Sequence, residues 1–252
     1  MQGILYVSHG SRIPAATTEA ISCITSVQER VDVPLQEICF LELTDPTVEQ
    51  GIDTLVSRGA SRIAIVPVLL LSAGHYFNDI PEEVNRAKAK HSHIAFTYGE
   101  PLGMQDRFID VLAERIKETK VPPKPDAKLL LVGRGSRNPQ TRKVIENIGQ
   151  KLRERTNFSS VDVCFLAACN PPFEQTLQST LKEECSQVFI VPYLWFTGVL
   201  VNFIKAKVTE ASKLNKEIVL CTQLGNHPTM RAALKERVYE SFDEKGSFTQ
   251  WQ

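Results

Sequence analysis

The chain has 252 residues, 42% apolar and 23% charged, a composition ordinary for a soluble globular protein and a length that suits one large or two medium domains. Its 29 basic and 29 acidic side chains cancel to a formal net charge of zero. Nothing global therefore draws it to nucleic acid or to an anionic membrane, and any anion it binds must be held by local groups.

Gly3 to Ser8 is a short apolar run that predicts a strand, followed by a Gly/Ser/Pro loop and a helix from about Pro14 to Arg30. A strand over 35–41 leads to a helix from Pro46. A strand over 62–69 leads through a loop to a helix from Pro81, and a strand over 93–98 to a helix from Gln105. Val121-Pro122-Pro123-Lys124-Pro125 then forms a stiff linker incompatible with a helix. Beyond it strands are predicted near 129–133, 161–166, 188–193 and 217–221. Alternation of this kind implies parallel sheets with helices on both faces. The expected fold is α/β: two similar doubly wound lobes, each with a parallel sheet of about four strands, facing across a cleft. Residues 1–120 make the first lobe, 121–127 the linker and 128–252 the second.

The two lobes are an internal duplication. Residues 7–80 fall on 132–205 at a constant offset of 125 without a gap. Val7-Ser8-His9-Gly10-Ser11-Arg12 meets Val132-Gly133-Arg134-Gly135-Ser136-Arg137, and Cys39-Phe40-Leu41-Glu42 meets Cys164-Phe165-Leu166-Ala167. Asp45-Pro46 meets Asn170-Pro171, and Val66-Pro67 meets Val191-Pro192. At three places the first copy carries His9, Glu42 and His75 where the second carries Arg134, Ala167 and Leu200. The shared backbone does not need those groups, so they are candidates for chemistry, as metal ligands or proton acceptors.

Each is expected just past the C-terminal end of its strand, the edge where open parallel sheets hold ligands. With a strand order of 2-1-3-4, His9 and His75 flank the switch point and Glu42 lies one strand away on the other side of His9. Side chains from adjacent strand ends, about 4.8 Å apart, can then meet at one ion and leave it open coordination positions. Glu42 is read as closing a buried strand, where an unpaired carboxylate is costly. The bland readings are a turn-supporting His9 and a His75 that caps the next helix.

Other features carry less. Val188 to Ile204 is uncharged over 17 residues but contains Pro192, Gly198 and Asn202, and reads as strand, loop and helix start rather than a membrane span. Met1 to Gly10 lacks a basic segment followed by an apolar stretch and a small-residue cleavage site, so no export signal is expected. The six cysteines form no CxxC pair and are expected to be reduced, which implies a cytoplasmic location. His91 and His93 read as surface residues beginning a strand, His227 as part of a turn, and Cys164 and Cys169 as packing residues. Neither Ser8 nor Ser11 lies in a G-x-S-x-G turn.

Tyr6-Val7-Ser8-His9-Gly10-Ser11-Arg12, then Phe40-Leu41-Glu42 with Pro46-Thr47, then Val66-Pro67-Val68-Leu69-Leu70-Leu71 leading to Gly74-His75, resembles the sirohydrochlorin ferrochelatases and their relatives the sirohydrochlorin cobaltochelatases. The similarity covers nearly the whole chain, including Gly133-Arg134-Gly135-Ser136 and Val191-Pro192-Tyr193. It implies a lyase that inserts Fe²⁺ into sirohydrochlorin, the last step of sirohaem synthesis, with loss of two pyrrole N–H protons. By position, His9 and His75 match the metal-handling histidines and Glu42 their acidic partner. An imidazole, with an ordinary pKa of about 6.5, can hold the ion or accept a proton near neutral pH, and a carboxylate can take the proton onward.

The macrocycle is strongly anionic, so cationic groups are expected to gather around it. Arg12, Arg134 and Arg137, with Ser11 and Ser136 beside them in the two matching loops, form the expected substrate-binding set, the alternative being solvated loop arginines. Tyr193, Trp195 and Phe196 are candidates to stack on the ring, or are core. No tightly bound cofactor is expected. The divalent ion enters as substrate, and the donor set would take Co²⁺ or Ni²⁺ at least as well as Fe²⁺. Cobalt insertion for cobalamin is therefore the chief alternative. Some long cobaltochelatases carry a histidine-rich region or a cysteine motif near the C-terminus, and residues 244–252 hold neither. A non-catalytic metal carrier or a metal-dependent hydrolase are further alternatives, the latter without an H-E-x-x-H motif. With both halves in one chain, a monomer is expected.

Overall fold

The computed structural model describes residues 1–212 and 216–242. Residues 244–252, read above for what they lack, fall outside the described residues. The first half runs β1 (Gln2–Ser8), α1 (Pro14–Gln28), β2 (Leu35–Phe40), α2 (Val48–Ser57), β3 (Arg62–Pro67), a π-helical turn (His75–Asp79), α3 (Ile80–Lys90), β4 (Ala95–Tyr98) and α4 (Asp106–Glu118). The second runs β5 (Lys128–Gly133), α5 (Pro139–Arg155), β6 (Ser160–Phe165), α6 (Phe173–Lys182), β7 (Gln187–Tyr193), α7 (Val199–Ala211), β8 (Glu217–Leu220) and α8 (Pro228–Glu240). The uncharged stretch 188–204 is thus strand, loop and helix start, and no helix among the described residues is long and apolar enough to cross a membrane.

Two four-stranded parallel sheets result, ordered β2-β1-β3-β4 and β6-β5-β7-β8. Their registers repeat residue for residue: Val7 lies between Cys39 and Pro67, and Val132 between Cys164 and Pro192. In the first sheet Leu5, Val7, Ile63 and Ile65 pack under Val48, Ile52 and Leu55 of α2 and Ile80 and Val84 of α3. On that side Thr47 begins α2 with a reciprocal cap, its Oγ1 accepting from Gln50 N at 3.3 Å while its own N–H donates to Gln50 Oε1 at 2.8 Å. Ile4 and Tyr6, equally buried, alternate with Leu5 and Val7, and α1 and α8 pack against each other and onto β2 and β3 respectively.

The compact units do not follow the duplication. One comprises Met1–Gly103 with Pro228–Gln252, the other Met104–His227. Packing thus crosses the expected boundaries at 120 and 128: α4 leaves the half that encodes it and α8 returns to the first. α4 buries Phe108, Ile109, Val111, Leu112 and Ile116 and packs on α5 and β7. Each such side chain is worth roughly 1.5–3 kcal/mol when fully buried, far more than exposed ion pairs such as Asp106 with Lys151. α8 does the same in the first unit through Met230, Ala233, Leu234 and Val238, and Arg237 Nη2 donates to Leu102 O at 3.0 Å. The Pro-rich segment 121–125 therefore lies inside the second unit rather than between units.

β4 begins at Ala95, two residues later than expected, because His91 closes α3 and Ile94 N donates back to His91 O at 3.0 Å. His91 is not a free surface residue: its Nε2 lies 2.7 Å from Asp53 Oδ1 and its side chain is largely covered. His93 is exposed.

The loop after β1 is held against the loop after β2 by Leu41 N donating to Ser8 O at 2.8 Å and Glu42 N to His9 O at 3.1 Å. The second unit repeats both bonds, from Leu166 N to Gly133 O at 3.0 Å and from Ala167 N to Arg134 O at 2.9 Å. Such closeness requires Gly10, at φ +93°, where a Cβ would stand 1.8 Å from Glu42 O. Gly10→Ala should cost roughly 1–3 kcal/mol, read as a lower urea midpoint at unchanged slope. Gly74, at φ −48° with nothing within 4 Å of the place a Cβ would take, should tolerate Gly74→Ala without loss. Equal midpoints for the two variants would show that the loop contact imposes no constraint.

Candidate functional site

His9 and Glu42 stand side by side because their backbones are bonded to each other across the ends of β1 and β2. His9 Nδ1 is 3.0 Å from Gly10 O. A carbonyl only accepts, so this contact places the ring hydrogen on Nδ1 and leaves Nε2 with a lone pair in the neutral ring. That Nε2 lies 3.1 Å from Glu42 Oε1. Glu42 lies in the loop two residues beyond β2, with its side chain 49% exposed, so the expected buried carboxylate is corrected. Its orientation comes from the backbone bond and from His9, and its exposure leaves it in touch with solvent.

His75 does not follow its strand directly. It starts the π-helical turn eight residues after β3, and the turn closes with Ile80 N donating to His75 O. Tyr98 of β4 fixes this turn, its hydroxyl donating to Tyr76 O at 2.8 Å and its ring stacked 5.0 Å from that of Tyr76. The turn brings the His75 ring edge-on to His9, with centroids 4.6 Å apart and planes at 83°. His75 Nδ1 lies 2.6 Å from Asp79 Oδ2.

The three groups are neighbours, with His9 touching both Glu42 and His75. Among the described residues no three His, Cys, Asp or Glu side chains are grouped to hold a metal. Each imidazole instead has its own carboxylate, His9 with Glu42 and His75 with Asp79. What is assembled is a pair of adjacent imidazoles, one of them in contact with Glu42.

Sequence reasoning missed Asp79, together with two exposed apolar side chains that adjoin the site in sequence, Leu43 after Glu42 and Phe77 in the turn of His75. The repeat holds the signal. Leu43 corresponds to Ala168, Phe77 to Asn202 and Asp79 to Ile204, so the first copy departs from the second around the site and not only within it.

Arg12, in the first unit, and Arg134 and Arg137, in the second, are exposed, and none makes an ion pair among the described residues. Arg134 Nη1 reaches only Gly135 O, at 3.5 Å. Ser11 and Ser136 shape their loops: Ser11 Oγ accepts from Ile13 N at 3.0 Å and Ser136 Oγ from Asn138 N at 3.1 Å, which leaves each O–H able to donate. Thr44 and Cys169 brace them, with Ser11 N donating to Thr44 Oγ1 at 3.2 Å and Ser136 N to Cys169 Sγ at 3.3 Å. Of the proposed stacking aromatics, Tyr193 and Trp195 are buried and belong to the core, while Phe196 is partly covered and stacks on Trp195 at 5.0 Å. Burial, with Asp162 nearby, pushes the Cys164 thiol up to about 12, in keeping with a packing residue. His227 lies in the turn before α8, with its Nε2 2.9 Å from Glu114.

The CbiX family profile matches residues 3–119 and again 128–241. The chain is 40% identical to the sirohydrochlorin ferrochelatase of Priestia megaterium over 98% of its own length and 93% of that protein's. It is 33% identical to the sirohydrochlorin cobaltochelatase of the same organism, over 96% and 81% of the two lengths. The solved structure of SirB from Bacillus subtilis with Fe³⁺ superposes with a TM-score of 0.84 at 37% identity, covering 100% of this chain and 98% of that one. With both halves matched by one profile and near full-length relatives at this identity, the chain belongs to the CbiX family.

Proposed function

We propose that the protein is a sirohydrochlorin ferrochelatase, inserting Fe²⁺ into sirohydrochlorin with release of two pyrrole N–H protons. The observation that carries the reading is the 3.1 Å contact of His9 Nε2 with Glu42 Oε1, in ring contact with a second imidazole, in one copy of a duplicated backbone and not in the other. Higher identity to the ferrochelatase than to the cobaltochelatase supports iron over cobalt.

The ion is a substrate here, and it must pass from water to the ring nitrogens while two protons leave. Both imidazoles have Nδ1 engaged by an acceptor, Gly10 O for His9 and Asp79 for His75, which is the usual arrangement of a metal-binding histidine. His9 and His75 receive the ion through Nε2. Glu42, half exposed and beside His9, takes the pyrrole protons in turn and passes them to water. Leu43 and Phe77 offer apolar surface beside these groups for a flat ring. Arg12, Arg134 and Arg137 bind its carboxylates, with the hydroxyls of Ser11 and Ser136 as further donors. The reading includes no tightly bound cofactor, a monomer, and a cytoplasmic location, the last supported by six free thiols, five of them buried.

The direct test mixes the protein with sirohydrochlorin and Fe²⁺ and follows the absorption spectrum. Metallation faster than the protein-free control is expected, and a rate equal to the control would overturn the assignment. In the same assay His9→Ala and Glu42→Gln should each lower kcat by about 10²–10⁴, the usual cost of a lost general base. Unchanged turnover in both, with macrocycle and iron saturating, would remove the pair from the mechanism. Arg134→Ala should raise the KM for the macrocycle more than it lowers kcat, and an unaltered KM would return this arginine to the solvated surface.

A further inference from the structure

We propose that Asp79 is the positioning residue of His75, holding its ring so that Nε2 faces the incoming metal ion. The inference rests on the proposed metal insertion and adds a residue to it.

Three observations support the assignment. His75 Nδ1 and Asp79 Oδ2 are 2.6 Å apart, and an ionised carboxylate only accepts, so the ring hydrogen is fixed on Nδ1 and the lone pair on Nε2. The two residues are four apart across the π-helical turn, whose backbone is tied down by Tyr98 through Tyr76 O, so both ends of the contact sit on a fixed support. The second copy then provides a control. Where His75 becomes Leu200, Asp79 becomes Ile204, so the polar pair is exchanged for an apolar pair with the same spacing, and Ile204 is fully buried. An aspartate retained for helix α3 alone would not need the imidazole. Asp79 occupies the position that caps α3, yet its side chain makes no capping hydrogen bond there.

The contact also distinguishes the two histidines. His9 is oriented by a backbone carbonyl one residue away, which no substitution can remove. His75 is oriented by a side chain. A carboxylate behind the ring raises the electron density at Nε2 and strengthens its hold on a divalent cation, so His75 is the imidazole whose donor strength can be altered independently.

The test titrates Co²⁺ into the full-length protein without macrocycle and follows the visible ligand-field absorption. Asp79→Ala should weaken Co²⁺ binding by roughly 10–100-fold. In turnover it should raise the KM for metal while leaving the KM for macrocycle unchanged. Asp79→Asn, whose Oδ1 still accepts from Nδ1–H, should recover most of the loss; if the alanine variant does not fold, Asp79→Leu takes its place with the same expected loss and the same overturning result. Added to His75→Ala, Asp79→Ala should cause no further loss of Co²⁺ affinity. Wild-type Co²⁺ affinity in folded Asp79→Ala and Asp79→Asn, with His75→Ala impaired, would overturn the positioning role alone. Wild-type affinity in His75→Ala would overturn the metal site itself.

Discussion

The arrangement of the site depends on a backbone contact. Glu42 N–H donates to His9 O, and that bond forms only because Gly10 lets the two loops approach to within a distance that any Cβ would block. With it in place, residue 9 and residue 42 point the same way from neighbouring strand ends, and a 3.1 Å contact between Nε2 and Oε1 follows without further adjustment. The second unit makes the same bond around Gly135 but places Arg134 and Ala167 there. The geometry is therefore a property of the backbone plan, and the chemistry a property of which side chains occupy it.

The duplication separates what the fold needs from what the reaction needs. Gly10, the register at Val7 and the brace on Ser11 recur in both copies, so they belong to the scaffold. Thr44 and Cys169 perform the same bracing role with different atoms, which shows that the second unit tolerates chemical change wherever the hydrogen bond is kept. His9, Glu42, His75 and Asp79 have no counterparts of their own type. Of these, Asp79 escapes sequence reasoning because it reads as the beginning of a helix, although comparing position 79 with 204 exposes it.

Strand order and element sequence are legible because the repeat has no gap and each β-strand is a continuous apolar run bounded by loop residues. The exchange of α4 and α8 is not. An amphipathic pattern such as Phe108, Ile109, Leu112 and Ile116 states that a face must be covered, and says nothing of which sheet covers it. The Pro-rich stretch then resembles a domain boundary because stiffness and boundary share a composition. Glu42 misleads for a related reason: Phe40 and Leu41 continue the apolar run almost to the carboxylate, while β2 itself ends at Phe40. Placement at adjacent strand ends brings the three groups together, but it cannot reveal that each histidine has a separate carboxylate beside it.

The proposed transfer of the ion limits how tightly it can be held. A closed set of three strong donors would lower the free energy of the bound ion before transfer, and stabilising the ground state raises the barrier to the step that follows. A metal that is to be handed on must be held by few ligands that exchange readily. Two imidazoles meet that requirement in the proposed mechanism, and Glu42, beside His9 and half open to solvent, is placed to take the pyrrole protons as the ion moves to the ring.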